Sequence, residues 1–303
     1  MSKRISVRVP ATSANLGCLF DCAAVALGLY LDVHVTPLSG SEIRISYQGV
    51  TPERIPVDET NLIARTMRQT LESWGKSRGF NLEIENQIPA GVGLGSSAAA
   101  IVAALAASHA LADHVLLDEE LIALGAKIEG HPDNVAAAWL GGFTISAQVG
   151  EKVVSASCPI PNRLQLVLVI PDYPLSTEKA RQALPDGYSR ADAIHNLQRA
   201  AIVAAKFFSG IAELNRFLFD DRWHQPYRAQ LIPGLPEVLK MSQPGLLGVC
   251  LSGAGPAILA FSKDRGLEIG EAIRQMLNAH GITATSTLLC PDNKGAKGWS
   301  LPA

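Results

Sequence analysis

The sequence predicts an α+β fold in two halves. Strand-like and helix-like segments are mixed along the chain without the strict alternation that a doubly wound parallel sheet requires. The 303 residues are 48% hydrophobic and 18% charged, so the chain can bury one large core or the cores of two domains. Pro159 and Pro161 interrupt regular structure near the middle of the chain. We therefore predict an N-terminal domain over residues 1–155 and a C-terminal domain over residues 156–303.

In the N-terminal half, apolar residues alternate with polar ones in several short segments, the pattern typical of half-buried strands. Pro10 is expected to end the first strand and to leave residues 10–21 as a polar loop. The turn at Ser39 and Gly40 is expected to join the second and third strands as a hairpin. Strands are predicted over residues 5–9, 29–35, 43–47, 80–85 and 143–146, and helices over 62–74, 96–112, 118–129 and from 135.

In the C-terminal half, residues 164–170 form an uninterrupted apolar run that predicts a central strand. The tail from Pro291 is expected to lie on the surface. Further strands are predicted over residues 246–251, 257–261 and 283–289, and helices over 176–184, 190–208, 211–219 and 267–279.

The composition limits the partners. A net charge of −2 gives no sign of a nucleic-acid or membrane partner. Five cysteines without a C-x-x-C pair favour a reducing compartment and argue against disulfides or structural zinc. No apolar run is long enough for a membrane span, and no signal peptide is recognisable. We expect a cytoplasmic protein.

A glycine-rich stretch precedes the Ala-rich helix and predicts an anion site. Alternate glycines let the chain turn its N–H groups inward, and the N-terminus of the following helix attracts negative charge. The stretch lacks the lysine of a P-loop and the G-x-G-x-x-G spacing of a dinucleotide fold. A flexible turn before a buried helix is the alternative. The residues of the glycine-rich stretch are Pro89, Ala90, Gly91, Val92, Gly93, Leu94, Gly95, Ser96 and Ser97.

Polar residues crowd around a turn after the third predicted helix, where Pro132 prevents a regular helix. A carboxylate near a triphosphate suits Mg²⁺, with the Ser97 hydroxyl as a second oxygen ligand. Capping of the helix from Val135 is the alternative role for Asp133 and Asn134. A zinc site is disfavoured, because the segment holds a single histidine. The residues of this turn are Glu129, His131, Asp133 and Asn134.

Two arginines, Arg181 and Arg228, stand in neutral surroundings. Their planar guanidinium groups suit a small carboxylate, and solvated surface arginines are the alternative. Residues 252–256 are either a tight turn or a second backbone cradle. Asn61 is placed to cap the helix over 62–74.

Three of these stretches together resemble motifs of the GHMP kinase superfamily, named after galactokinase, homoserine kinase, mevalonate kinase and phosphomevalonate kinase. The motifs lie at residues 10–17, 89–99 and 253–256, so the resemblance spans nearly the whole chain. The chain is most similar to the homoserine-phosphorylating members, on the Glu-Gly-His-Pro-Asp-Asn segment from Glu129, the Ser-Thr-Glu-Lys-Ala-Arg segment from Ser176 and the Tyr-Arg pair at Arg228. This resemblance implies an N-terminal domain like the second domain of ribosomal protein S5, followed by a ferredoxin-like C-terminal domain.

The resemblance also implies the site. ATP would lie on the glycine-rich stretch, with its base near Asn61 and Mg²⁺ held by Ser97 and Glu129. The γ-phosphoryl group would pass to the hydroxyl of L-homoserine, in an enzyme that is commonly a homodimer. The catalytic residues would be Asp21, Asp133 and Arg181, and those binding L-homoserine Asn15, Asp21, His131, Asp133, Asn134, Thr177, Arg181, Arg228 and Gly253.

Two departures from the family pattern are visible. Cys18 and Leu19 replace the usual Pro-Gly, and Ala257 replaces the usual hydroxyl residue after Gly-Pro. A mevalonate-type kinase, an ATP-dependent decarboxylase of the same fold, and a nucleotide-binding regulator without turnover are the alternative functions.

Overall fold

Two β-sheets with helices packed against them make up the protein. The computed structural model describes residues 4–115, 117–210 and 213–299. In the first sheet all neighbouring strands are antiparallel except β3 and β4, and the order is β3-β4-β2-β5-β6 with β1 on β2. Its strands are β1 (Ile5–Asn15), β2 (Leu19–Pro37), β3 (Ile43–Gly49), β4 (Phe80–Asn86), β5 (Phe143–Val149) and β6 (Lys152–Cys158).

Four helices belong to this half, and three of them have the predicted bounds to within one residue at either end. They are α1 (Leu62–Ser73), α2 (Ser96–Ala112), α3 (Asp118–Glu129) and α4 (Asp133–Leu140). The alanines of α2 are buried around the whole helix circumference, because α1, α3, α4 and β1 all pack on it. Small side chains permit this close approach.

Two predictions for the first sheet are wrong. Most of residues 10–21 are not a loop, because β1 continues past Pro10, with a register shift there, and pairs with β2 as far as Asn15. β2 begins at Leu19 instead of at the predicted residue 29. The described residues give β1 no strand partner other than β2, so a proline without an N–H is tolerated on its open side. The hairpin of β2 and β3 is also wrong: β3 pairs in parallel with β4, which lies between them. β6 was not predicted.

The second sheet has four antiparallel strands in the order β10-β7-β9-β8. Numbered along the chain this order is 4-1-3-2, with helices after the first and third strands, which is the ferredoxin-like arrangement that the family resemblance implies. The strands are β7 (Gln165–Pro171), β8 (Leu246–Leu251), β9 (Ile258–Ser262) and β10 (Ala284–Leu289).

The helices of this half are less regular than predicted. In place of a helix over 211–219, the described part is a single 3-10 turn at Arg216–Phe219; residues 211 and 212 lie outside the description. Among the described residues, three short helices were not predicted, namely those over Gln225–Arg228, Leu235–Lys240 and Gly295–Trp299. The six helices are α5 (Thr177–Gln182), α6 (Arg190–Phe208), α7 (Gln225–Arg228), α8 (Leu235–Lys240), α9 (Gly266–Ala279) and α10 (Gly295–Trp299).

The end of the chain returns to the first sheet, so the prediction of a surface tail is wrong. The Gly28 N–H donates to the carbonyl of Cys290 over 2.9 Å, and the Gly142 N–H donates to the carbonyl of Asp292 over 2.7 Å. Asp292 is buried, and α10 packs on α4. Since β6 extends to Cys158, the chain passes between the sheets over residues 159–164, a few residues beyond the predicted domain boundary.

A continuous apolar core joins the two halves. Phe143 of β5 stacks on Phe207 of α6 with ring centroids 4.2 Å apart, and Phe207 meets Phe261 of β9 edge to face. Aromatic pairs of this kind bury large areas and tie the halves together. None of the helices in the described ranges is long and apolar enough to cross a membrane.

Candidate active site

One pocket at the N-terminus of α2 collects most of the predicted site residues. Nearly all of the proposed acceptor residues line it, together with the inner side of the glycine-rich loop. Thr177 begins α5, but its side chain lies outside the described part of the structure. The predicted residues that line the pocket are Asn15, Asp21, Gly91, Gly93, Leu94, Gly95, Ser96, Ser97, Glu129, His131, Asp133, Asn134, Arg181, Arg228 and Gly253.

The glycine-rich loop has the geometry of an anion cradle. Gly91, Gly93 and Gly95 all have positive φ angles, of 74°, 87° and 66°. A Cβ atom at Gly95 would overlap Oγ1 of Thr12, and one at Gly93 would overlap the carbonyl of Ser252. No side chain caps α2, which starts directly after Gly95, so its first N–H groups are left for a ligand.

Residues 252–257 support this loop from behind. The Ser252 hydroxyl donates to the carbonyl of Gly93 over 2.6 Å, and the Ala257 N–H donates to the carbonyl of Val92 over 3.0 Å. The Gly253 N–H donates to the carbonyl of Ala14 on β1. The segment is thus a turn between β8 and β9 of the second sheet that is hydrogen-bonded both to the glycine-rich loop and to β1 of the first sheet.

Ser97 and Glu129 both line the pocket and are hydrogen-bonded to each other. The Ser97 hydroxyl donates to Oε2 of Glu129 over 2.7 Å. Burial raises the pKa of the Glu129 carboxyl, opposed by the bond from Ser97. In the described ranges no cluster of three or more His, Cys, Asp or Glu residues could hold a metal ion.

Asp133 is the first residue of α4, directly after the turn that follows α3, and is almost completely buried. Its Oδ1 accepts hydrogen bonds from the backbone N–H of Asn134 and contacts Nδ1 of His131 over 2.6 Å. The hydrogen bond to Asp133 raises the pKa of His131. Asn134 in turn accepts from the Thr12 hydroxyl over 2.7 Å. The N-cap of α4 is Pro132 without a side-chain bond, so capping does not explain these residues.

Asp21 and Arg181 face each other across the pocket mouth, with 4.0 Å between Oδ2 and Nη2. Burial, followed by the negative charge of Asp133, raises the pKa of Asp21. Asp21 and Asn15 both have positive φ angles, 50° and 74°, which are uncommon outside glycine and mark a constrained loop.

Arg228 is buried, so a solvated surface position is wrong for this arginine. Only 2% of its surface is exposed. Nε donates to the carbonyl of Ala180 and Nη1 to the carbonyl of Gly253, both over 3.1 Å. The guanidinium also lies over the ring of Phe20, 5.2 Å from its centroid.

A second cavity, of about 280 Å³, adjoins the pocket and is walled mainly by apolar side chains. It shares Gly91, Ser96 and Ser97 with the first pocket. Asn61 lines this cavity and also caps α1, since its Oδ1 accepts from the N–H groups of Ile63 and Ala64. The predicted cap is therefore present, whereas binding of a nucleotide base near Asn61 stays a prediction.

The outer side of the glycine-rich loop faces a third cavity. Pro89, Ala90 and Val92 line it rather than the first pocket, although Ala90 also reaches the cavity at Asn61. Arg54, which the sequence analysis missed, donates from Nη1 to the carbonyl of Ala90. Thr12 and His224 were missed as well, whereas Ser252 belongs to the segment 252–256 that the sequence singles out. Thr12 lies inside a motif and could have been found there.

Comparison with known proteins identifies the family. Residues 61–142 match the family described as GHMP kinases N terminal domain, and residues 194–281 match GHMP kinases C terminal. The chain is 41% identical to a homoserine kinase of Desulfitobacterium hafniense over 295 residues, which cover 96% of this chain and 99% of that protein.

The fold is also similar to that of solved structures. The crystal structure of homoserine kinase from Cytophaga hutchinsonii has a TM-score of 0.86 at 27% identity and covers 97% of both chains. A putative homoserine kinase from Listeria monocytogenes has a TM-score of 0.75 at 31% identity over 96% of this chain and 97% of that one. Fold and site thus define a two-domain GHMP-type kinase architecture. The chain belongs to the homoserine kinase family.

Proposed function

We propose that this protein transfers the γ-phosphoryl group of ATP to the side-chain hydroxyl of L-homoserine, giving ADP and O-phospho-L-homoserine for threonine biosynthesis. One observation carries the proposal: the anion cradle at the start of α2 opens into the same pocket as Asp21, Arg181 and Arg228. Phosphate-binding and amino-acid-binding groups therefore share one pocket. The names of the relatives support the same substrate.

ATP would span the two adjoining cavities. Its triphosphate would lie on the N–H groups of the glycine-rich loop and of α2, where the helix dipole favours negative charge. Its base would occupy the largely apolar cavity beside Asn61. Because Gly91, Ser96 and Ser97 line both cavities, one nucleotide can reach both.

Ser97 and Glu129 would hold Mg²⁺. The residues fit the ion: both offer hard oxygen ligands, they touch each other over 2.7 Å, and they line the phosphate pocket. Magnesium is usually held by one or two carboxylates together with phosphate and water oxygens, so a larger protein cage is not needed. The ion would supply charge neutralisation for the phosphates.

The acceptor would be held by opposite charges. Arg181 and Arg228 suit the carboxylate of L-homoserine, and Asp21 suits its ammonium group. Asn15, His131, Asn134 and Gly253 would shape the remaining wall, with Thr177 at the start of α5 as a further contact.

Phosphoryl transfer has a loose transition state, so positioning and charge compensation matter more than a strong base. Asp133 as general base stays a prediction. Its Oδ1 already accepts two short bonds, from His131 and from the Asn134 N–H, which supports a role in positioning.

The test is ADP release with ATP, Mg²⁺ and one acceptor at a time: L-homoserine, mevalonate, galactose or none. Turnover confined to L-homoserine, lost in Glu129→Gln and retained in the matched control Glu119→Gln on the exposed side of α3, is expected. Turnover with mevalonate alone would overturn the substrate, and release of CO₂ would indicate the decarboxylase. ATP binding without any turnover would indicate the regulator.

A homodimer in the cytoplasm is proposed as the working state. The described cysteines are free thiols, as a reducing compartment favours. Ile194, Leu197 and Ile202 of α6 are exposed apolar residues that a second copy could cover. Light scattering should give twice the chain mass, and Leu197→Glu should lower it to one chain if α6 is the interface.

A further inference from the structure

Arg228 does not stand alone in its buried position, because His224, one helical turn before it, lies directly behind its guanidinium. Nη1 of Arg228 is 3.4 Å from Nδ1 of His224. On the other side of the ring, Nε2 of His224 is 2.8 Å from the carbonyl of Gly17, in the loop between β1 and β2. His224 is completely buried and stacks on Phe20, the ring over which Arg228 also lies.

The two neighbours determine where the imidazole carries its proton. A backbone carbonyl can only accept, so Nε2 must carry the hydrogen toward Gly17. A guanidinium can only donate, so Nδ1 must be the unprotonated nitrogen toward Arg228. Only a neutral imidazole with its hydrogen on Nε2 satisfies both contacts.

The charged surroundings agree with a neutral ring. Burial, the largest cause, lowers the pKa of His224; the Asp221 carboxylate opposes this and Arg228 adds to it. Asp221 lies 3.5 Å from Nε2, but its oxygens also accept from the side chain of Asn196 and from the N–H groups of Trp223, His224 and Gln225. Asp221 therefore fixes the backbone that presents His224.

We propose that His224 is a positioning residue, whose Nδ1 holds the guanidinium of Arg228 in the orientation that binds the carboxylate of the acceptor. This inference rests on the proposed function. In the described residues the hydrogen bonds of Arg228 run from Nε and Nη1, to Ala180, Gly253 and His224. Nη2 then remains for the ligand, because Arg228 lines the pocket.

The alternative is that His224 only ties the loop of Gly17 to α7. Two variants separate these roles. In His224→Asn the amide oxygen lies near the former Nδ1 and can still accept from Arg228, but the bond to Gly17 is lost. In His224→Gln the amide nitrogen lies near the former Nε2 and can still donate to Gly17, but the bond from Arg228 is lost. Both variants lose the stacked ring equally.

The measurement is KM and kcat for L-homoserine and for ATP, with the melting temperature of each variant. We expect KM for L-homoserine to rise about ten-fold in His224→Gln, the effect of losing one charged hydrogen bond, and to stay within about two-fold in His224→Asn. KM for ATP should stay near that of the parent in both. If His224 only connects the loop of Gly17 to α7, KM for L-homoserine should rise more in His224→Asn than in His224→Gln, which would overturn the proposal. Equal KM values in the two variants would also overturn it.

The unaltered protein offers a second test that does not depend on a variant folding. Nitrogen NMR of ¹⁵N-histidine-labelled protein should show His224 with its hydrogen on Nε2, unchanged at a pH where exposed histidines are protonated. A hydrogen on Nδ1 would overturn the inference. Absence of L-homoserine turnover in the parent would instead overturn the proposed function and leave this tautomer test standing.

Discussion

Asn15 and Arg228 donate to the same oxygen, the carbonyl of Gly253, over 2.9 Å and 3.1 Å. Oδ1 of Asn15 also accepts from the backbone N–H of Asp21 over 2.9 Å. One carbonyl of the second half thus sets the position of the buried arginine and, through Asn15, of the start of β2 that carries Asp21. The acceptor side of the pocket is therefore assembled across the two sheets.

Asn15→Asp tests this assembly. The variant keeps a residue type that tolerates positive φ and keeps the acceptor for Asp21, but it cannot donate to Gly253 and places a charge against its carbonyl. We expect KM for L-homoserine to rise by about ten-fold or more and the melting temperature to fall. Asn15→Gly, which accepts the same φ angle without a charge, should show a smaller effect. Unchanged kinetics in both variants would contradict the assembly.

Gly95→Ala should abolish tight ATP binding. A methyl group there combines a strained φ angle with overlap on Oγ1 of Thr12. Gly40→Ala is the matched control, because its φ is 89° and no atom lies within 4 Å of the added Cβ. The control should lose about 1–2 kcal/mol of unfolding free energy from backbone strain alone. Gly95→Ala should lose more unfolding free energy than Gly40→Ala and should raise KM for ATP. Equal losses in the two variants, with KM for ATP unchanged, would contradict the overlap with Thr12.

Asp21 should make acceptor binding sensitive to acid. Its pKa is raised above the ordinary 3.8, and only the ionised carboxylate can pair with an ammonium group. As the pH falls through this raised pKa, KM for L-homoserine should rise, whereas Asp21→Asn should have a high KM without that acid step. A variant that keeps the same acid step would show that another group causes it.

The same shift predicts stability with the opposite sign. Because the pKa of Asp21 is raised on folding, its contribution to stability is present below the unfolded pKa and is lost as the pH rises through the folded one. Asp21→Asn cannot ionise, so relative to the parent it should gain stability between low and neutral pH. Melting temperatures across that range check the sign. A variant that loses stability relative to the parent over the range would contradict it.

The two arginines should behave differently. The side chain of Arg181 is 51% exposed and pairs loosely with Asp21, whereas Arg228 is buried and holds two carbonyls. Arg181→Gln should raise KM for L-homoserine with little change in melting temperature. Arg228→Gln should both raise KM for L-homoserine and lower the melting temperature, because the carbonyl of Ala180 loses the arginine donor and the carbonyl of Gly253 keeps only the bond from Asn15. Similar melting temperatures for the two variants would contradict this difference.

Local chemistry made much of the site predictable. Alternating glycines and the start of α2 follow from short-range backbone preferences, and the cap of α1 by Asn61 follows from one residue type at one position. The order 4-1-3-2 of the second sheet came only with the family resemblance.

Long-range contacts were not predictable in the same way. The extension of β1 past Pro10 depends on that strand lying at an edge, and the parallel pairing of β3 depends on β4 entering between it and β2. Thr12 beneath Gly95, Ser252 behind Gly93 and His224 behind Arg228 are joined only by folding. No periodicity in one chain encodes which distant side chains meet.

The return of residues 290–292 to β2 and β5 has a consequence for synthesis on the ribosome. The first sheet precedes the second along the chain, yet the N–H groups of Gly28 and Gly142 find their partners only when Cys290 and Asp292 emerge. At roughly 5–20 residues per second, the nascent first half waits on the order of ten seconds for its last segment. During that interval it is an incomplete domain, and folding of the first half becomes a late, whole-chain event.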